Sequence, residues 1–400
     1  MIRRFVLVLC VLGFLGFFVS AANAEGVGSE RILYFDMALN SSGNPYISYS
    51  YDSFVAPDTY YVGGELKLAF KDADGWHYYT VREVWPREIS IAALDYYAAI
   101  CFFDYEDDKV KYVDWGLGMF LAVHEVDDNP DWDSYPSIAI DSNENIHMIY
   151  AVESEEGSPE VRYAVDLGEG VQVETVDSGT VESPSSIALT SGYVIPHITY
   201  RGSSGELKYA YKDGSGWHYY TLYSDGHYPS IALDSNGNPH IAFHSDGVLK
   251  YTYKEGDSWF TEDVDSGCIV ELSIALDSNG NPHIAYRSGW LVKYAYKDGD
   301  GWHIEAVSLG FYCPIALDSN DNPHISYRSL GNHQIVYTTK QPTVVNLEGS
   351  LTDSNGDPVT TASIRVKIKN IDGDIIHCET FNNAVENGDF DIVLGAKQEL

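Results

Sequence analysis

Three arginines hold one position in a repeating sequence. Arg201, Arg287 and Arg328 each follow the aromatic residue that ends an apolar run: HITYRG, HIAYRS and HISYRS. A guanidinium presents a planar fork of N–H donors that matches a carboxylate. Three of them at equivalent positions would grip an anionic ligand if the fold gathers them at one face. Surface pairing with the chain's abundant carboxylates is the plainer alternative.

Other repeated residues invite chemistry and give it up on inspection. His147, His197, His240, His283 and His324 share a second repeat position, which Tyr46 fills in the first repeat. Imidazoles ligate metals at about 2 Å, and equivalent atoms spread around an axis cannot share one ion at that distance. The position therefore reads as a buried imidazole bonded to its own turn or to the next unit. In the DSNGN turns, Asp277, Asn279 and Asn281 alternate like calcium ligands. An EF-hand loop places its Gly sixth, whereas Gly280 falls fourth, where a hairpin needs it. Each turn offers one carboxylate, so Asp277 is expected to cap local backbone amides. Trp76, Trp217, Trp259 and Trp302 are candidate sugar platforms, yet their lock to the repeat favours packing between units. No catalytic residue, metal site or cofactor is read from the chain.

The element that must position all of these residues is clearest at residues 273–307. It contains four apolar runs, 273–276, 283–286, 291–296 and 302–307, each of strand length and bounded by Gly, Asn, Asp or Pro. DSNGNP joins the first two and KDGDG the last two. Asn and Gly tolerate the positive backbone angles of a tight hairpin. An antiparallel four-stranded meander of roughly 45 residues is the signature of a propeller blade. The unit recurs seven times between Met37 and Lys340, and repeat two is the most divergent. Large and small residues alternate on the inner strands (Ile274 and Leu276 against Ala275), as the taper of a blade requires.

Residues 1–24 read as a secretory signal. Arg3 and Arg4 precede the apolar run 5–19, and Ala22-Asn23-Ala24 fits the small-x-small cleavage rule. The run is short for a membrane span, so no span is expected in the mature chain. Removing two arginines leaves 24 − 2 = 22 basic residues against 59 acidic ones, a net charge of −37. That excess argues against nucleic acid and anionic membranes as partners. Four of the five cysteines remain, too few for a disulfide scaffold. Cys268 and Cys313 lie in consecutive connections and are either bridged or two buried thiols.

Residues 25–340 are thus assigned to the propeller. Repeat seven lacks an obvious fourth strand. The short, Gly-rich start of the mature chain offers no firm closure, and residues 343–347 are an alternative. Repeats one and seven are expected to meet through side-chain packing. From residue 341 the pattern changes. Residues 344–359, 363–370, 374–381 and 388–395 read as strands of a small sandwich. At roughly 55 residues it is short for an independent domain, and it leans on the propeller or stops before it is complete.

The SIALDSNGNPHIAYRS unit, followed by LKYAYKDGSGW, resembles exported bacterial and archaeal propeller repeats. These are loosely similar to the sialidase-like superfamily with its Asp-box, S-x-D-x-G-x-x-W. Gly299 and Trp302 keep the box's spacing, Asp298 stands one position off, and the Ser is absent. The resemblance implies an arginine triad for a carboxylate, with Arg201, Arg287 and Arg328 as counterparts. The family's Arg-x-Pro motif is missing, and no Tyr/Glu nucleophile pair is identifiable. LEGSLTDSNGDPV resembles the first hairpin of modules in bacterial surface proteins and carboxypeptidase-regulatory-like domains.

The expectation is an all-β chain: a seven-bladed β-propeller followed by a small β-sandwich. Its leading role is a secreted or cell-surface, non-catalytic binding or adhesion protein, with a glycan or another surface protein as ligand. A sialidase-like glycoside hydrolase and a purely structural surface repeat module are the alternatives. Carboxylates with raised pKa at the channel mouth would mark the enzyme. An exposed aromatic cluster on one face would mark sugar binding.

Overall fold

The computed structural model describes residues 25–27, 32–52, 64–84, 86–116, 118–128, 135–153, 159–178, 181–267, 269–330, 333–339, 345–350, 364–369, 375–381, 385–386 and 389–394. The expected leader, Cys268, most of the long loop of repeat one and most of the acidic loop of repeat three lie outside the described residues. Among the described residues every regular element is a strand, and no helix is long and apolar enough to cross a membrane. The chain divides into two compact units, residues 21–339 and residues 340–400 together with 1–20.

In the first unit, strand follows strand in antiparallel meanders. Four-stranded sheets cover residues 32–83, 86–127, 137–178, 181–223 and 227–266, each with spatial order equal to chain order. Repeats six and seven merge into one eight-stranded sheet, because Gly310 and Phe311 pair with Ser329 and Arg328. The turns explain the phasing. Gly280 N–H donates to Asp277 O at 2.9 Å and Asp277 N–H to Asn281 O at 3.0 Å. Gly280 has φ 82°, a left-handed conformation that glycine adopts without steric cost. At the equivalent Gly43 a Cβ would sit 3.1 Å from Asp318 Cβ of repeat seven.

The core lies between sheets. One cluster joins Tyr251 and Val264 of repeat five to Ile274, Ile284 and Tyr286 of repeat six. Another joins Val27, Ile335 and Tyr337 to Phe35, Met37 and Ile47 of repeat one. Sheets packed on both faces explain why the inner strands are apolar throughout.

The closure differs from the expectation. Strand Glu25–Val27 pairs with Ile335–Thr339 and supplies the missing fourth strand of repeat seven. Its register, Glu25 opposite Tyr337, matches Glu174 opposite Tyr163 and Glu262 opposite Tyr251. Val27 is fully buried. Glu-Gly-Val at residues 25–27 answers to Glu-Thr-Val at 174–176, Glu-Asp-Val at 262–264 and Glu-Ala-Val at 305–307. The alternative strand is engaged elsewhere: Val345–Ser350 pairs with Asp389–Leu394. Within the second unit Asp389–Leu394 also pairs with Val385–Glu386, and Ile364–Lys369 pairs with Ile375–Phe381.

Two outcomes follow. A chain beginning at Gly28 loses a buried valine and the closure ladder, and should melt roughly 5 °C or more lower than one beginning at Glu25. An equal melting temperature in calorimetry would mean the strand is dispensable. The second concerns pH. Burial lowers the pKa of His147, His197, His240 and His324, that of His197 to about 4. The unfolded chain then binds more protons than the fold between about pH 4 and 6.5, so stability rises with pH across that window. Buried neutral histidines contribute fully above pH 6.5, and that contribution is lost as the pH falls toward 4. His197 alone accounts for about 3 kcal/mol. The turn aspartates, held below their ordinary range, act only at lower pH. Urea midpoints should fall from pH 7 to 4, and less steeply in His197→Asn.

Candidate functional site

The repeated residues resolve first. Each strand-two histidine meets a strand-three tyrosine hydroxyl through Nδ1, at 2.7 Å for His197–Tyr209 and 2.6 Å for His283–Tyr294. Where the turn has an aspartate, Nε2 lies near it, 3.6 Å for His147–Asp141 and 3.5 Å for His324–Asp318; beside His197 the turn position is Thr190. Asp277 accepts from Asn279 N–H at 2.9 Å and Asn281 N–H at 2.7 Å, as the capping reading requires. The four tryptophans pack edge-on against the strand-three tyrosine of the preceding repeat: Trp217 on Tyr163, Trp259 on Tyr209, Trp302 on Tyr251 and Trp76 on Tyr337. All of these positions belong to the frame.

The three arginines all end the second strands of their repeats, at the same end as the connection into the next first strand. The structure brings two of them together. Arg287 and Arg328 both face the ring of Phe311, at 5.3 and 4.9 Å. Arg328 also lies 5.3 Å from the Tyr312 ring and donates to Ile32 O at 3.0 Å. Arg287 is already occupied. Its Nε and Nη2 bind the two Glu271 oxygens at 2.8 and 3.2 Å, and Nη1 donates to Gly289 O at 2.6 Å. A ligand carboxylate would have to displace Glu271 to reach it. Arg201 stands in another group. Its Nη2 is 3.3 Å from His227 Nε2 and 3.9 Å from Asp225 Oδ1. His227 Nε2 is itself 3.1 Å from Asp225 Oδ1.

Two aromatic residues near the arginines, Trp290 and Phe311, carry no repeat signal. Trp290, in the loop after Arg287, is 61% exposed. It meets Phe311 edge-on at 5.5 Å, and Gly310 N–H donates to Trp290 O at 3.0 Å. Phe35 and Tyr34 flank Tyr312 at 5.8 and 6.4 Å. The result is an arginine–aromatic cluster at the boundary of repeats six, seven and one, with Trp290 as its open face. Cation–π contacts of this kind contribute about 0.5–2 kcal/mol each. Glu271 also accepts from Tyr312 N–H at 2.7 Å and so fixes the segment that carries Phe311. Cys313, a free and buried thiol, donates to Glu271 O at 3.0 Å; it forms no bridge. Burial and the Glu271 charge push its pKa up, which keeps it protonated and inert.

The second feature without a repeat signal is conformational. Two positions before the conserved Ser-Ile-Ala of the first strand, Glu88, Tyr135, Tyr228 and Glu271 all have φ between 38° and 52°, and Tyr312 before Pro314 has φ 51°. Non-glycine residues rarely adopt this region. Tyr135 N–H donates to Glu88 at 2.7 Å, as Tyr312 N–H does to Glu271. Strain held by specific hydrogen bonds, repeated at one end of the sheets, is a pointer to function.

No family model matches the chain, and no curated protein matches it in sequence. Solved structures do resemble it. The β-propeller domain of Cps50 (Swd1) from Myceliophteria thermophila superposes with a TM-score of 0.51 at 10% identity, covering 80% of this chain and 100% of that one. The Aleuria aurantia lectin AAL, in complex with Fucalpha1-6GlcNAc, gives 0.50 at 12% identity, covering 70% and 97%. The Trypanosoma rangeli sialidase gives 0.45 at 9% identity, covering 69% and 54%, and carries no weight on activity. The fold is a β-propeller.

Gly310 tests the cluster. A Cβ there would lie 2.6 Å from Arg328 O and 3.0 Å from Tyr327 Cδ2. Backbone cannot yield as a side chain can, so Gly310→Ala should cost about 1–3 kcal/mol. It should also change Trp290 fluorescence as Phe311 moves. Wild-type stability in a denaturant titration would show that the two sheets are not tied here.

Proposed function

We propose that the protein is an exported, seven-bladed propeller that binds a glycan without acting on it, followed by a small C-terminal sandwich. The observation that carries this reading is Trp290, exposed beside Phe311, with guanidinium and carboxylate groups around the pair. The apolar face of a pyranose stacks on such a surface, and its hydroxyls take the donors and acceptors at the rim. AAL, a lectin with this fold, supports the class of ligand by analogy alone.

The ligand is a neutral glycan. Arg287 is paired with Glu271, and Arg201 stands beside Asp225. Paired charges offer hydrogen bonds to hydroxyls with little field of their own, and Arg328, held on Ile32 O, is the one excess charge beside Phe311. The chain as a whole carries −35, which repels an acidic polymer. The hydrolase reading asks for a carboxylate with a raised pKa at the mouth. Asp36 is raised by burial, yet it bonds Met37 N–H, Ile91 N–H and Ser90 Oγ and ties repeat one to repeat two. Export accords with residues 1–24, and attachment to a cell surface would suit an adhesion role.

A glycan array probed at low and high salt tests the assignment. Binding to neutral glycans should persist at high salt, and Trp290→Ala should weaken it roughly tenfold, about 1.4 kcal/mol. Binding restricted to carboxylated glycans and lost in salt would overturn the neutral ligand. Turnover of an aryl sialoside would overturn the non-catalytic role.

A further inference from the structure

The cluster at repeats six and seven has counterparts at two other boundaries. Tyr135 begins repeat three and Tyr228 begins repeat five, each two residues before Ser-Ile-Ala, as Tyr312 stands two before Pro314 in repeat seven. All three have positive φ, 38°, 52° and 51°. Tyr135 and Tyr228 are 46% and 50% exposed. Tyr312 instead turns its ring onto Phe35, and Trp290 supplies the exposed face there.

Each boundary also carries a carboxylate and a guanidinium in the segments around its aromatic residue. At repeats two and three, Glu88 holds Tyr135 N–H, and the adjacent Arg87 lies 4.5 Å over the Tyr105 ring. At repeats four and five, Arg201, Asp225 and His227 sit together, and the His227 ring is 6.2 Å from Tyr228. At repeats six and seven the set is Arg287, Glu271, Phe311 and Trp290. The shared register puts all three at the same end of their sheets.

We infer that these are three binding stations on one face, and that the ligand is a neutral polysaccharide or glycan coat whose repeated pyranose units occupy them together. The inference rests on the glycan-binding reading and adds to it the number of sites and the repetitive character of the ligand. A backbone held in the left-handed region fixes the direction of the Cα–Cβ bond at each of these tyrosines. Linked units of one polymer then bind at high effective concentration once the first has docked. Stations that are individually weak suffice for such a ligand and would be poorly suited to a single free sugar.

The test is retardation of the intact protein in native gels containing galactomannan, xyloglucan or dextran. Asn tolerates positive φ, so Tyr135→Asn and Tyr228→Asn remove the rings while keeping the backbone; Trp290→Ala removes the third. Circular dichroism melts establish that each variant is folded. At least one polymer should retard the wild type, each single variant should be retarded several-fold less, and the triple variant not at all. If Tyr135→Asn and Tyr228→Asn run as wild type while Trp290→Ala abolishes retardation, there is one station and the inference falls, with the glycan-binding reading intact. If the wild type is retarded by none of the three polymers, both are overturned.

Discussion

Within each sheet the backbone satisfies itself; between sheets few backbone hydrogen bonds cross. The ring therefore depends on side chains that reach over the boundary, and in this chain the recurrent one is a fourth-strand glutamate. Glu174 binds Lys212 at 2.5 Å and Trp217 Nε1 at 3.1 Å of the next repeat. Glu262 binds Lys297 at 2.6 Å and Trp302 at 2.9 Å in the same way. Glu25 does so across the closure, with Lys71 and Trp76 both at 2.6 Å. The indole N–H is thereby satisfied while its ring fills the gap between sheets, and the lysine lies over the same aromatic surface. Each carboxylate thus couples packing to polarity, which is worth more at a half-buried boundary than at an exposed surface.

A second carboxylate works at the other end of the same strands. Asp177 accepts from Tyr200 and Lys208, and Asp265 from Tyr286 and Lys293, again of the following repeat. At the boundary of repeats four and five the aspartate is replaced by Tyr223, and the tyrosine it would bind becomes Phe243. The two rings meet at 5.3 Å, with Lys250 at 5.5 Å from Tyr223. Partner and acceptor change together, so no hydroxyl is left buried without a bond. That boundary is also where Arg201 leans on His227 and Asp225. Altering the frame and altering the mouth go together because both lie on the same pair of strands.

Much of this was legible in the sequence, for reasons that differ by residue. Strand length, turn chemistry and the spacing of Gly280 made the meander readable, because local geometry dictates those residues. The roles of His283, Asp277 and Trp302 followed from their lock to the repeat. The closure was harder: Glu25-Gly26-Val27 is three residues long, and its gap-filling role shows only when it is aligned with Glu262-Asp263-Val264. The candidate site was half legible. Arg287 and Arg328 were found because their residue type repeats. Trp290 and Phe311 were not, because neither recurs, and Glu271 has a single counterpart in Glu88, in the most divergent repeat. The left-handed residues were invisible because glutamate and tyrosine disfavour that conformation, and tertiary hydrogen bonds overrule the preference.

Glu271 shows how two guanidiniums are held beside one ring in this chain. Two guanidiniums near one ring repel each other, and the ring's quadrupole offsets only part of that repulsion. Glu271 removes a further part by binding Arg287 through both oxygens, and it accepts from Tyr312 N–H as well. Its own strained backbone, φ 52°, receives the Cys313 thiol on the carbonyl. One residue thus neutralises Arg287, leaves Arg328 as the cluster's excess charge, and fixes the segment that begins repeat seven. A free carboxylate arriving from solvent would have to break all of this to reach Arg287. A sugar hydroxyl needs only an unused lone pair or N–H at the rim, which is why the proposed ligand at Arg287 is a neutral one.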